Sequence, residues 1–306
     1  MAVWAADDFL DQVKSRAQLP DITGALSDAD ILLLADQAMQ TEIEPLVVGM
    51  KRDYWVKTYD QDITANVSDY RIFHRSIGSK LRDLLLVDQN GNEYSIPEIA
   101  PEQAWRYKQV QGDWNTSVAY YVQGEEVVLV PTPTQTGYTL RQKYCLRRPR
   151  LTIDTDNYAA ITSFIGPILS VATVPANIIS GAFVDIVRRK PYFDVLVVEA
   201  EVIAAGVGTI SIDVAPPTSL QAGDYVSFSD TSYIVPLPVE IQQLLLTATV
   251  GKVLMALGDE RAQREIAVFE RDRDRVKVLL SPRNEGESPR IINRSGPIRG
   301  GFWRRR

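Results

Sequence analysis

Residues 237–280 read LPVEIQQLLLTATVGKVLMALGDERAQREIAVFERDRDRVKVLL, and the fold turns on this stretch. Pro238 suits a first helical turn, because its absent N–H would have no intrahelical acceptor there. Glu240 favours the positive end of the same helix. Ile241, Leu244, Leu245, Ala248, Lys252 and Met255 recur at three- and four-residue steps, which predicts a helix with one mostly apolar face. Gly258 is placed to end it in the left-handed conformation, and Asp259 to cap a second helix. That helix carries Ala262, Ile266, Phe269, Val276 and Leu280 on one stripe, with the charge run ERDRDR on its other faces. Ser281-Pro282 stops it.

The segment 281–306 has neither a helical nor a strand period and holds three Pro and four Gly. Its seven Arg against two Glu give about +5, whereas the whole chain is −6, so the remainder carries about −11. Such an arm cannot bury a core of its own and is expected to order on a partner. Ile291, Ile292, Phe302 and Trp303 supply apolar anchors along it. Fully extended, it reaches on the order of 80 Å.

Working back to the N-terminus, Phe9, Leu10, Val13 and Ala17 predict a helix within residues 4–16. Ser27, followed by Asp28 and Asp30, is an N-cap for another. Leu32, Ala35, Met39, Ile43, Leu46 and Met50 continue its stripe, and Pro45 must kink or divide it. Helices at both ends of the chain need an apolar partner, and the simplest solution is that they bury one another as a bundle.

Between them the period changes to two. Tyr54, Val56 and Thr58, then Tyr70, Ile72 and His74, alternate as strands do. LLLVDQNGNEYSIP reads as a hairpin with Asn90-Gly91 at the two positive-φ positions of its turn. The series Asp88, Asn90, Asn92 lacks the Gly and terminal Glu of a calcium loop. Residues 151–235 form a second β-rich unit punctuated by Pro216-Pro217 and Gly223-Asp224, of a spacing that suits a small sandwich or barrel. The expected fold is therefore α+β. It has a helical base split between 1–53 and 236–280, a β-rich region 54–150, an inserted antiparallel β domain 151–235, and the extended basic arm 281–306.

The composition, 45% hydrophobic and 24% charged, is that of a globular chain, and its acidic balance argues against a dedicated nucleic-acid binder. No apolar run is read as a bilayer span and the acidic start is unlike a signal peptide, so no membrane partner is expected. A single cysteine, Cys145, excludes an internal disulfide.

Chemistry is sparse. The only histidine, His74, has no Cys nearby, makes neither a His-rich metal site nor a conventional Ser/His pair on its own, and reads as a packing or surface residue. Arg147, Arg148 and Arg150 stand close to Cys145 and favour its thiolate, but no general base accompanies it, and a small buried hydrophobe is the reading taken. GVGTIS at Gly206 lacks the third glycine of a dinucleotide loop, and no phosphate-binding GxxxxGK[ST] loop is present. Asp154 and Asp156 read as a solvated turn rather than a hydrolytic carboxylate pair. The clusters Arg147-Arg148-Arg150 and Arg188-Arg189-Lys190 read as solvated loops, and Arg304-Arg305-Arg306 as a partner contact. No catalytic, cofactor or metal residues are assigned.

Three blocks together resemble the head-to-tail adaptor (connector) proteins of tailed bacteriophages. They are FLDQVKSRAQLPDITGALSDADILLLADQAMQTEIEPLV, YYVQGEEVVLVPTPTQTGYTLRQKYCLRRPRL and the stretch from Leu237 to Arg283. The resemblance covers roughly residues 2–151 and 236–306 and leaves out the inserted unit. It implies a non-enzymatic virion neck protein, assembled in the host cytoplasm as a ring of identical subunits, commonly twelve. The ring would lie beneath the portal protein, above a tail or neck protein, with double-stranded DNA passing through its centre. The positions that would meet the portal are Arg290, Ile291, Ile292, Arg294, Arg299, Phe302, Trp303, Arg304, Arg305 and Arg306. An acidic body agrees with a channel that repels phosphates. The rival reading is an oligomeric binding module whose inserted β domain recognises a carbohydrate or a capsid or tail protein.

Overall fold

The computed structural model describes residues 3–18, 26–50, 55–108, 117–190 and 192–280, so the arm 281–306 lies outside the described residues. The chain is mixed α+β. Helix α1 (Ala6–Ala17) buries Phe9, Leu10, Val13 and Ala17, the stripe read from the sequence. Helix α2 (Asp28–Ala38) starts at Ser27, whose Oγ accepts the Asp30 N–H at 3.2 Å while Asp30 Oδ2 accepts the Ser27 N–H at 2.9 Å. This reciprocal cap satisfies two of the orphan donors of the first turn. Pro45 divides the helix as expected, through a π-helical turn at Met39–Ile43 that widens the backbone before α3 (Glu44–Met50). The widened turn accommodates a ring that offers no N–H and would otherwise crowd the preceding carbonyls.

At the other end, α5 (Val239–Ala256) and α6 (Arg261–Leu280) pack on each other. Pro238 is the N-cap of α5 rather than a first-turn residue. Gly258 takes φ +69°, and Asp259 Oδ1 accepts the Arg261 N–H at 2.8 Å. The one-faced reading of α5 needs correction. Leu246, Val250, Val253 and Leu254 are buried as well as Ile241, Leu244 and Leu245, because α1, α2 and α6 all pack around it. Met255, read as part of the apolar face, is exposed, and Lys252 pairs with Glu42 at 2.9 Å. By length and composition α5 is apolar enough to cross a bilayer, contrary to the sequence reading, but 67% of it is buried inside the protein. Residues of α1, α2, α3, α5 and α6 share one apolar cluster.

The first β-rich region holds two small sheets. One has the order β1 (Val56–Asp62), β7 (Thr139–Leu146), β3 (Ser76–Val87), β4 (Glu93–Ser95), and the other β2 (Asp69–Arg71), β6 (Glu126–Val130), β5 (Ala119–Gln123). A short helix, α4 (Ala104–Lys108), preceded by a 3-10 turn at Pro101–Gln103, follows β4. The β3–β4 turn departs from the expected geometry, since only Gly91 has positive φ (+82°). Asp88 organises the turn instead, its Oδ1 accepting the N–H groups of Asn90 (2.8 Å) and Asn92 (2.9 Å). An Asx-type turn of this kind replaces the second left-handed residue.

The chain then enters a closed six-stranded antiparallel barrel. Its strands are β9 (Tyr158–Ile165), β10 (Ile168–Val171), β11 (Phe183–Arg188), β12 (Asp194–Gly206), β13 (Thr209–Ile212) and β14 (Tyr225–Phe228), in the order β10-β13-β12-β11-β14-β9. Ile161, Leu169, Val184, Ile186, Val202, Ile210, Ile212 and Val226 fill its interior. Register shifts in β12 against β11 and β13 bend that strand, as bulges do where a sheet must curl shut. The entry strand β8 (Arg150–Leu151) and the exit strand β15 (Thr231–Ser232) lie side by side in parallel, so the barrel leaves and returns through one narrow root.

Candidate functional site

The ten arm positions implicated in partner binding all lie outside the described residues. His74 is exposed, with Nε2 3.0 Å from Glu199 Oε1, an oxygen that also accepts the Ser229 hydroxyl at 3.1 Å, and no cluster of metal-ligating side chains is found among the described residues. Burial pushes the Cys145 thiol up, against the lowering effect of Arg82 and Arg148. Asp154 and Asp156 form an exposed turn in which Asp154 Oδ1 accepts the Asp156 N–H at 3.0 Å. Gly206 and Gly208 lie at the β12–β13 hairpin turn.

Three internal basic residues behave differently from a solvated loop. Arg148 is buried while its neighbours Arg147 and Arg150 are exposed, which corrects the loop reading of that cluster. In the second cluster the Arg188 Nη2 donates to the Ser219 carbonyl, and the Arg189 N–H reaches Asp224 Oδ1 at 3.3 Å. These bonds hold the end of β11 against the loop before β14.

Charged residues cluster at two junctions that sequence spacing did not reveal. At the first, Arg75 comes from the loop before β3 and Asp185 from β11, 110 residues later. Arg75 Nη1 lies 2.8 Å from each Asp185 oxygen, Asp230 Oδ1 stands 3.6 Å from Arg75 Nε, and Glu199 Oε1 is 3.9 Å from Nη1. Asp185 also accepts the Glu199 N–H at 3.0 Å. Glu199 itself holds φ +55° at a bend of β12. The cluster clamps the barrel to the first β region, beside an open cleft of about 640 Å³ walled by Tyr59, Phe73, His74, Tyr144 and Phe183.

At the second junction, Asp36 of α2 and Glu44 of α3 accept backbone N–H groups from the barrel root. Asp36 Oδ1 takes Leu151 N–H at 3.0 Å and Glu44 Oε1 takes Arg148 N–H at 3.0 Å. Burial raises both carboxyl pKa values, Asp36 to about 6. Arg148 lies over the Trp55 ring at 4.3 Å, within a smaller cleft of about 440 Å³ that also meets Lys57, Tyr192, Phe193, Pro236 and Pro238. The N-terminal strand-like residues are tied to the same neighbourhood, because Trp4 accepts the Val235 N–H at 3.0 Å and donates to Gln242 Oε1 at 3.2 Å.

The barrel surface has its own character. Arg188, Arg189 and Lys190 are the only Lys or Arg between residues 151 and 251. Ile165, Ile168, Ile203 and Val207 are exposed on its outside. A cation-poor surface with exposed aliphatic groups has the composition of a protein contact rather than of a phosphate-binding face.

No family model matches this chain, and a search of characterised proteins finds no match to it.

Proposed function

We propose that this chain is a structural head-to-tail adaptor of a virion neck, a subunit of a homo-oligomeric ring, commonly a dodecamer, that docks on a portal protein through residues 281–306. The observation that carries the reading is the common core made by helices from both ends of the chain, with β structure inserted between them and a basic arm attached to the last helix. On this reading the N- and C-terminal helices form a bundle that serves as the ring body. The arm carries its charge and its anchors Phe302 and Trp303 to an acidic groove of the portal, and a tail or neck protein binds below. Double-stranded DNA passes without base-specific contact. The function needs no catalysis, cofactor or metal, and places the protein in the virion after assembly in the host cytoplasm.

The test is the mass of the purified protein, alone and with a candidate portal, for the full chain and for a chain ending at Leu280. A ring-sized complex formed by the full chain and lost on truncation supports the reading. A monomer indifferent to both overturns it. The exposed Ile165, Ile168, Ile203 and Val207 favour a second reading, in which the barrel is itself the recognition module. Deleting 151–235 separates the two, since portal binding survives the deletion only under the adaptor reading.

A further inference from the structure

Arg148 is 4% exposed, yet no carboxylate oxygen among the described residues lies within the 4.0 Å of an ion pair with its guanidinium. Its side chain makes one hydrogen bond among them, from Nη2 to the Leu146 carbonyl at 3.0 Å, and Nε has no partner. Burial pushes its pKa down to about 9 against the attraction of Glu44 and Asp194. Buried cations are normally paired, because the interior replaces the solvation of water only through a counter-charge. Arg75, equally buried in this chain, has such partners. Glu44 and Asp194 attract Arg148 from beyond ion-pair distance of its guanidinium, and it lines an open cleft.

Two further groups set the polarity of that cleft. Lys57 Nζ donates to Asp194 Oδ1, also on the cleft wall, at 2.8 Å and to the Val195 carbonyl at 2.6 Å, which leaves one of the three donors of the ammonium group for a ligand. Pro238, also on the cleft wall, is the N-cap of α5 and offers no side-chain acceptor, so the positive end of this 18-residue helix carries only the charge of Glu240 in its first turn. Trp55, Tyr192 and Phe193 add flat apolar surface, and about 440 Å³ suits a small ligand.

We propose that this cleft binds a small oxyanion, a phosphate or carboxylate group on a flat apolar body, held by Arg148, Lys57 and the start of α5 with its body against Trp55. The ligand adds a direct counter-charge to a guanidinium that Glu44 and Asp194 attract only from beyond ion-pair distance. Its place between helical base, first sheet and barrel root means that occupancy ties the three together. The inference is independent of the adaptor reading, and its test uses the full chain with no portal present.

The experiment is calorimetric and fluorescence titration of the full chain with phenyl phosphate, benzoate and inorganic phosphate, at ionic strength held constant with sodium chloride. Saturable binding is expected, tighter for phenyl phosphate than for inorganic phosphate, and weakened about tenfold or more in Arg148→Met. Stronger response to phenyl phosphate than to benzoate identifies phosphate as the preferred head group, and the reverse identifies carboxylate. Responses that are linear in salt and equal for chloride overturn the proposal, as does unchanged affinity in Arg148→Met. Should Arg148→Met not fold, Lys57→Met carries the test: about tenfold weaker binding supports the site, and undiminished binding overturns it.

Discussion

Arg75 and Arg148 are two buried arginines in one chain, and they are used in opposite ways. Arg75 meets both oxygens of Asp185 and stands near Glu199 and Asp230, all three carried by the barrel or its exit. Arg148 rests on Trp55, and although its backbone N–H donates to Glu44, its guanidinium forms no ion pair with a carboxylate among the described residues. In the first arrangement charge is answered by charge across a junction between distant parts of the chain, although Nε and Nη2 of Arg75 make no hydrogen bond of their own among the described residues. The second is open, and its geometry continues into a cleft. A buried charge therefore says little until its partners are counted, because the same residue type serves as a clamp where they are present and as an invitation to a ligand where they are not.

The contrast is broken most directly at Arg75. Arg75→Met strands Asp185 in a buried site and is expected to cost about 3–5 kcal/mol, the usual effect of removing one partner of such a pair. Chemical denaturation would show it, and a loss below about 1 kcal/mol would mean that the clamp is not one. The buried carboxylate Asp36 comes next, since it has a donor in Leu151 N–H but no cation within ion-pair distance among the described residues. Its folded-state pKa of about 6 lies above the unfolded value. The folded state then binds the proton more tightly, so stability is gained as pH falls from about 6 to about 4 and is lost as pH rises through 6. Asp36→Asn keeps an acceptor for Leu151 and removes the titration. It should flatten that part of the pH–stability curve and raise stability at neutral pH by about 2–3 kcal/mol; an unchanged pH slope would count against burial as the cause.

Arg148→Met is expected to act with the opposite sign to Arg75→Met. In ligand-free buffer it should be neutral or stabilising by about 1 kcal/mol, because an unpaired buried charge is exchanged for an apolar side chain that still packs on Trp55. A loss comparable to that at Arg75 would erase the distinction between the two sites. The smallest effect belongs to the exposed His74–Glu199 contact. His74→Ala should change stability by less than about 0.5 kcal/mol at neutral pH, as solvent-exposed pairs do. A larger change, measured by thermal melting, would extend the Arg75 clamp to include this histidine.

Local structure was widely legible. The caps at Ser27 and Asp259, the left-handed stop at Gly258, the break at Pro45 and the apolar stripe of α1 each depend on residues within one or two turns of one another. The barrel was legible only as one of two closures of a β unit, since alternation states which residues face inward but not how a sheet ends. The Asp88 turn was read with the wrong geometry, because a side-chain acceptor two residues upstream did the work assigned to a second left-handed residue. The candidate sites were much less legible. Nothing in the spacing of Arg75, Asp185, Glu199 and Asp230 marks them as neighbours, and Arg148 sits in a run whose other arginines are solvated.

By itself, then, the sequence determined the helices at the two ends of the chain, the β-rich character of the region between them, though not its short helix α4, and the charge split between an acidic body and the basic segment 281–306. These follow from propensity, periodicity and composition, which act over a few residues or over the whole chain. Only the tertiary structure decided that α5 is wrapped on several sides and that the barrel closes on one narrow root. It alone also separated the two arginines, one answered by carboxylates and one facing a cleft. Burial and pairing of a charge depend on groups brought together from more than a hundred residues apart, and at that separation chain topology, not local pattern, sets the neighbours.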